Sequence, residues 1–184
     1  MSRTEGLPVF RYHRDPIRTG FVVRSEAVCV CCESARGFVY KGPIRGQIVG
    51  LEERLCPWCL ADGSAASKFD ATFVSAYSLE SLPRVILDEV TRRTPGFFSW
   101  QEEEWPVCCG DASVYVATVG REGLIRAFPE WVDVLKRNLV EVWKYTQEDV
   151  VGVLENLNLD HGGPSVYLFQ CSHCEARHVS WDVL

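Results

Sequence analysis

Eight of the nine cysteines in this chain fall into four close pairs. Cys29/Cys32, Cys56/Cys59 and Cys171/Cys174 have the Cys-x2-Cys spacing, and Cys108/Cys109 are adjacent. A Cys-x2-Cys turn lets two sulfurs point at one ion about 2.3 Å away, and two such loops close a tetrahedron around zinc. Four loops make two sites. The pattern predicts a chain folded around two structural zinc ions, which dictates where the backbone turns and which distant segments meet.

The rest of the composition fits that picture. With 184 residues, 47% of them hydrophobic and 24% charged, the chain can bury a core without disulfide staples. No apolar run approaches the roughly 18 residues of a membrane-spanning helix. The first residues, MSRTEGLPVFRYHRD, lack the apolar centre of a secretory signal. A soluble, cytoplasmic protein is expected, and in a reducing cytosol paired cysteines serve as metal ligands rather than disulfides. The formal net charge is −6. Eight thiolates with two zinc ions would take it to about −10. That balance points away from nucleic acid and from an anionic membrane, both of which select a basic face. A protein partner is expected; the oligomeric state stays open.

The first predicted site is Cys29, Cys32, Cys56 and Cys59, at the spacing of a four-cysteine zinc ribbon. Cys31 lies inside the first loop and is read as a buried free thiol, because Cys29 and Cys32 have the i, i+3 spacing that chelation needs. The second predicted site is Cys108, Cys109, Cys171 and Cys174. Adjacent cysteines in an extended strand point to opposite faces, so this site needs a tight turn at Gly110 to bring both inward. Otherwise Cys109 ligates alone and His173, His178 or Asp111 completes the shell. Four thiolates also suit iron, but no closely spaced ferredoxin-type run is present. The CPWC motif lacks the βαβ context of a thioredoxin-like redox site.

The segments between the cysteines predict an α+β protein: zinc-ribbon-like antiparallel hairpins with two to three packed helices. AVCVCCESARGFVYKG and VYLFQCSHCEARHVSWDVL each read as strand, metal turn, strand, with apolar β-formers on both flanks. LPVFRY and FVVR read as short extended stretches. After Cys56, Pro57 marks a first helical turn, and WCLADGSAASKF holds a short helix weakened by Gly63. SLPRVILDEVTRRT is a helix stopped by Pro95-Gly96. FPEWVDVLKRNLVEVW is amphipathic, with Trp131, Val134, Leu135, Leu139 and Val142 on one face. Thr146 begins a further helix, with Asp149 as its capping-box partner. One domain, 1–184, is expected, with two zinc-knuckle subregions at about 21–76 and 105–184.

The segments LCPWCLADGSAASKFDATF, RTPGFFSWQ and WPVCCGDA resemble the signature of the CbrC-like proteins, bacterial proteins named after a colicin tolerance protein. The resemblance runs from LPVFRYHRDP to YLFQCSHC, nearly the whole chain. It implies a single bacterial domain with an uncharacterised activity linked to toxin tolerance. It also implies a ligand at Cys108, where members of that family commonly carry His.

No catalytic and no cofactor-binding residue is assigned beyond the cysteines. Asp62, Ser64, Lys68 and Asp70 form a polar cluster after the first site. It reads either as a pocket for an anion or partner, or as support for the metal loop, with Lys68 offsetting the charge of a zinc–tetrathiolate centre. His13 and His161 read as satisfied surface histidines in loops, and Glu102-Glu103-Glu104 as a solvated face. A catalytic zinc keeps an open position and favours histidine ligands; this chain offers all-sulfur sites and no His-Glu-x-x-His. The expected function is a non-catalytic zinc-binding interaction module. The alternative is a metal-dependent hydrolase with an open second zinc site.

Overall fold

The computed structural model describes residues 6–158 and 164–182. The backbone divides into two compact units, residues 1–98 and 99–184. His161, expected in a loop, lies outside the described residues.

In the first unit, β1 (Val22–Arg24) pairs antiparallel with β2 (Phe38–Tyr40). An isolated bridge, Val28 to Ala35, carries the ladder toward its tip. The Cys29–Cys32 turn caps that ladder, the strand–turn–strand expected from its flanking β-formers. LPVFRY, by contrast, forms no strand. The second pair opens α1 (Pro57–Ala61), with Cys56 as its N-cap and Pro57 in the first turn. Gly63, at φ 80°, breaks the helix, and α2 (Ser64–Phe69) starts afresh. α3 (Arg84–Arg93) begins behind Pro83. Its last-turn arginines satisfy the open carbonyls of the two shorter helices. Arg93 Nε donates to Ala61 O at 2.8 Å, and Arg92 Nη2 donates to Ala66 O at 3.0 Å.

Three of the four thiols of the first cluster belong to the apolar core, where Cys29, Cys56 and Cys59 join Leu55, Leu60, Tyr40 and Phe73. Tyr40 Oη donates to Pro43 O and accepts from the Gly96 amide. His13 lies in a loop, but it was expected at the surface, and this is corrected: the ring is fully buried. Its Nδ1 lies 2.8 Å from Pro95 O, and its Nε2 lies 2.6 Å from Thr19 Oγ1. A carbonyl only accepts, so Nδ1 carries the proton and Nε2 accepts from the threonine hydroxyl.

In the second unit, β3 (Val107–Cys108) and β4 (Asp111–Ala112) make a minimal hairpin. β5 (Val114–Val119), β6 (Ser165–Gln170) and β7 (Arg177–Asp182) form an antiparallel sheet with β6 central. α4 (Arg121–Ala127), α5 (Val132–Glu141) and α6 (Gln147–Asn156) surround a core of Leu124, Trp131, Leu135, Leu139, Val150, Val166, Leu168 and Trp181. The expected capping box at Thr146 and Asp149 is present.

Over residues 81–157, where two to three packed helices were expected, there are four, α3 to α6. Gly63 splits one segment, and α4 was not anticipated. α5 is also shorter than its amphipathic stretch, because Pro129–Trp131 forms a 3-10 turn first. The acidic run is not uniformly solvated either. Glu102 and Glu104 are exposed, but Glu103 is buried at 1% exposure. Among the described residues no helix is long and apolar enough to cross a membrane.

Candidate metal centres

The fold gathers all eight paired cysteines into two clusters. Within each, the four sulfurs lie within 4.8 Å of one another. A tetrahedron with zinc–sulfur bonds of about 2.3 Å has edges of about 3.8 Å. In the first cluster Cys29 Sγ and Cys59 Sγ are 4.0 Å apart, and Cys32 Sγ and Cys56 Sγ are 3.9 Å apart. In the second, Cys108 Sγ lies 3.8 Å from Cys109 Sγ and 3.7 Å from Cys174 Sγ. All nine cysteines are free. The separations therefore have the size of ligand-to-ligand edges, and they are far from the roughly 2 Å of a disulfide.

Backbone geometry explains why adjacent cysteines can share one centre. Cys109 and Gly110 occupy the two turn positions of the β3–β4 hairpin, both with positive φ, 55° and 72°. This is the mirror-image turn that suits a two-residue hairpin. The sharp reversal undoes the strand rule that would send neighbouring side chains to opposite faces. On the other side, the Cys171–Cys174 turn closes β6 onto β7, and Glu175 takes φ 60° to complete it.

Amide groups turn toward the sulfurs, as the chemistry of a thiolate centre requires. The Cys56 amide donates to Cys29 Sγ at 3.2 Å, and the His173 amide donates to Cys171 Sγ at 3.4 Å. His173 itself does not join the sulfurs. Its Nε2 lies 2.8 Å from Asp111 Oδ2, and Asp111 Oδ1 also accepts from the Ala112 amide. Asp111 therefore orients the loop beside the cluster.

Crowding splits the acidities of the thiols. For Cys32, burial opposes ionisation, but hydrogen bonds from Cys59, the Ser34 backbone and the other sulfurs outweigh it and hold the thiol down to about 7. Burial pushes Cys56 and Cys59 up. For Cys171, burial is outweighed by the Cys174 and His173 amides, which hold the thiol down to about 6. Burial pushes Cys108 up, and contact with Cys174 raises Cys109. Each cluster thus lowers one thiol and raises two of its neighbours. A divalent cation removes that conflict by neutralising the accumulated charge. The donor sets fit a thiophilic metal ion in both places.

The polar residues after the first cluster do not converge on one pocket. Asp62 Oδ1 accepts from the Ser64 amide, and Ser64 Oγ donates to Cys59 O. Asp70 faces Arg92 at 3.8 Å. Lys68 reaches the Cys29–Cys32 loop, donating to Val30 O at 3.1 Å and Cys31 O at 2.9 Å. Cys31, expected to be a buried free thiol, is half-buried, with its Sγ 3.6 Å from Ser64 Oγ.

These features define an α+β protein with two four-cysteine groups that could hold metal ions. The chain belongs to the uncharacterised protein family UPF0167, whose sequence profile matches residues 7–183. It is 41% identical to the UPF0167 protein Mb2317 of Mycobacterium bovis over 176 residues, covering 94% of this chain and 91% of the relative. It is 37% identical to the UPF0167 protein PA1536 of Pseudomonas aeruginosa, covering 96% of this chain and 97% of the relative. No solved structure matches it significantly.

Proposed function

We propose that this is a cytoplasmic zinc protein whose two ions, held by Cys29, Cys32, Cys56 and Cys59 and by Cys108, Cys109, Cys171 and Cys174, are structural, and that it acts by binding a protein partner. The observation that carries this reading is the pair of four-sulfur clusters with separations of 3.7–4.0 Å. All-sulfur donor sets favour zinc over harder cations. Four sulfurs fill a tetrahedron, which argues against the open position that a zinc hydrolase needs. The partner would be a basic protein, drawn by the net charge of −6. A role in colicin tolerance rests only on the CbrC-like resemblance of LCPWCLADGSAASKFDATF and its companion segments, an argument by analogy.

The test is to replace one ligand in the buried cluster, Cys56→Ser, and follow unfolding with and without a zinc chelator. A structural ion predicts loss of the cooperative transition in the variant and in the chelated parent. Retention of the parent's transition under both treatments would overturn the reading.

A further inference from the structure

The two clusters differ in their access to solvent. In the first, Cys29, Cys56 and Cys59 are 1%, 1% and 4% exposed. In the second, only Cys171 is buried, at 2%; Cys108 is half-buried, and Cys109 and Cys174 are exposed.

The scaffolds explain the contrast. The first cluster joins one hairpin tip to the start of α1, and Leu55, Leu60 and Phe73 belong to the core around it. Lys68 also ties down the loop between Cys29 and Cys32 from outside. The second cluster is built from two hairpin tips, Cys108–Cys109 and Cys171–Cys174. Among the described residues, no lysine or arginine side chain hydrogen-bonds to either tip. The acidic side chain beside it, Asp111, is engaged with His173.

Zinc leaves a tetrathiolate site readily only when another ligand can reach it. Transfer of a zinc ion held there would need an incoming donor to replace the cysteine thiolates one by one, each released thiolate taking a proton from water. Each step needs an approach path to the ion and room for the departing thiolate. Exposed Cys109 and Cys174 provide both. At the first cluster no cysteine is exposed: Cys29, Cys56 and Cys59 are buried and only Cys32 is half-buried, which narrows both.

We propose that the Cys108, Cys109, Cys171, Cys174 centre is an exchange site. It yields its zinc to external metal-ligating acceptors and takes it up again, while the Cys29, Cys32, Cys56, Cys59 centre keeps its ion. This rests on the reading that both clusters hold zinc. The acceptor is any molecule presenting thiolate or nitrogen donors able to add to an exposed zinc–thiolate face. The protein's two halves then have different tasks: one ion maintains a fold and the other is available.

The experiment mixes the zinc-loaded full-length chain with the chromophoric chelator pyridylazoresorcinol and follows zinc release. Iodoacetamide is added at timed points, and peptide mass spectrometry maps the alkylated cysteines. A guanidinium-denatured sample gives the total zinc. The expected result is two equivalents in total, released as one fast and one slow equivalent with rates at least about tenfold apart. Cys109, Cys174 and Cys108 should become alkylated in step with the fast equivalent. Lys68→Met should quicken the slow phase and leave the fast one unchanged. Two equivalents released at one common rate, or a fast phase accompanied by alkylation of Cys56 and Cys59, would overturn the exchange site and leave the two-zinc reading standing. Fewer than two equivalents from the denatured sample would overturn both.

Discussion

Lys68 lies on α2, yet its ammonium group binds the carbonyl of Cys31, inside the Cys29–Cys32 loop, at 2.9 Å. A second bond to Val30 O, at 3.1 Å, makes the lysine a clamp on the backbone between Cys29 and Cys32. It places a positive charge where a zinc–tetrathiolate centre would carry about −2. Lys68→Met keeps the aliphatic stem and removes both bonds. Because the group is exposed, a loss of about 1 kcal/mol is expected in urea unfolding of the zinc-loaded protein.

Cys109 offers a substitution whose sign reports on its role. A non-glycine residue at φ 55° costs about 1 kcal/mol relative to glycine. Cys109→Gly therefore stabilises the protein if the side chain is only a turn residue. If the thiol is a ligand, the same change lowers the midpoint of thermal unfolding and weakens metal retention. The second outcome is expected, and a differential melt of the two proteins distinguishes them.

His13 gives a pH dependence whose direction is fixed. Burial, opposed by the Pro95 hydrogen bond, lowers its pKa from 6.5 to about 4 in the folded chain. The unfolded chain therefore binds a proton at a pH where the folded chain does not. The resulting stability is fully present above about pH 6.5 and is lost as pH falls toward 4. At pH 5 the loss is about 2 kcal/mol. His13→Gln should flatten that part of the profile, measured as the difference in unfolding free energy between the two proteins at each pH.

Two glycines separate steric from conformational effects. A Cβ at Gly96 would collide with the Phe73 carbonyl, whereas at Gly152 it meets nothing. Gly96→Ala should cost about 3 kcal/mol or more, since backbone must shift and the Tyr40 contact with it. Gly152→Ala, within α6, should gain about 0.5–1 kcal/mol. Chemical denaturation of each variant at fixed zinc checks both.

Asp182 ties the end of β7 to the start of the second unit. Its Oδ2 accepts from Ser99 Oγ, the Trp100 amide and the Gln101 amide, and its Oδ1 accepts from Tyr167 Oη. Asp182→Ala leaves a buried phenol and two amides short of an acceptor. A cost of about 3 kcal/mol is expected, with faster amide exchange at Trp100 and Gln101 as the local signature.

The cysteine spacing made the clusters legible, because an i, i+3 chelate is a local device that the sequence states directly. It could not show that the adjacent Cys108 and Cys109 meet one centre. That depends on two consecutive positive-φ residues, and only Gly110 advertises itself. α4 escaped notice for a similar reason: it is seven residues long, has no side-chain cap at Gly120 and contains Gly123. That glycine lies close against Val119. The burial of His13 and Glu103 is a product of long-range packing; their sequence neighbours, Arg14 and Asp15, and Glu102 and Glu104, are polar. The exposure of the second cluster was equally hidden, since the same spacing serves a buried or an open site.

The most direct test is the metal content of the native full-length protein, by mass spectrometry under non-denaturing conditions. The account predicts two zinc ions per chain, with eight cysteines protected from alkylation until the ions are removed and Cys31 as the ninth, independent thiol. A chain that carries no metal, or whose paired cysteines react freely in the native protein, would contradict it.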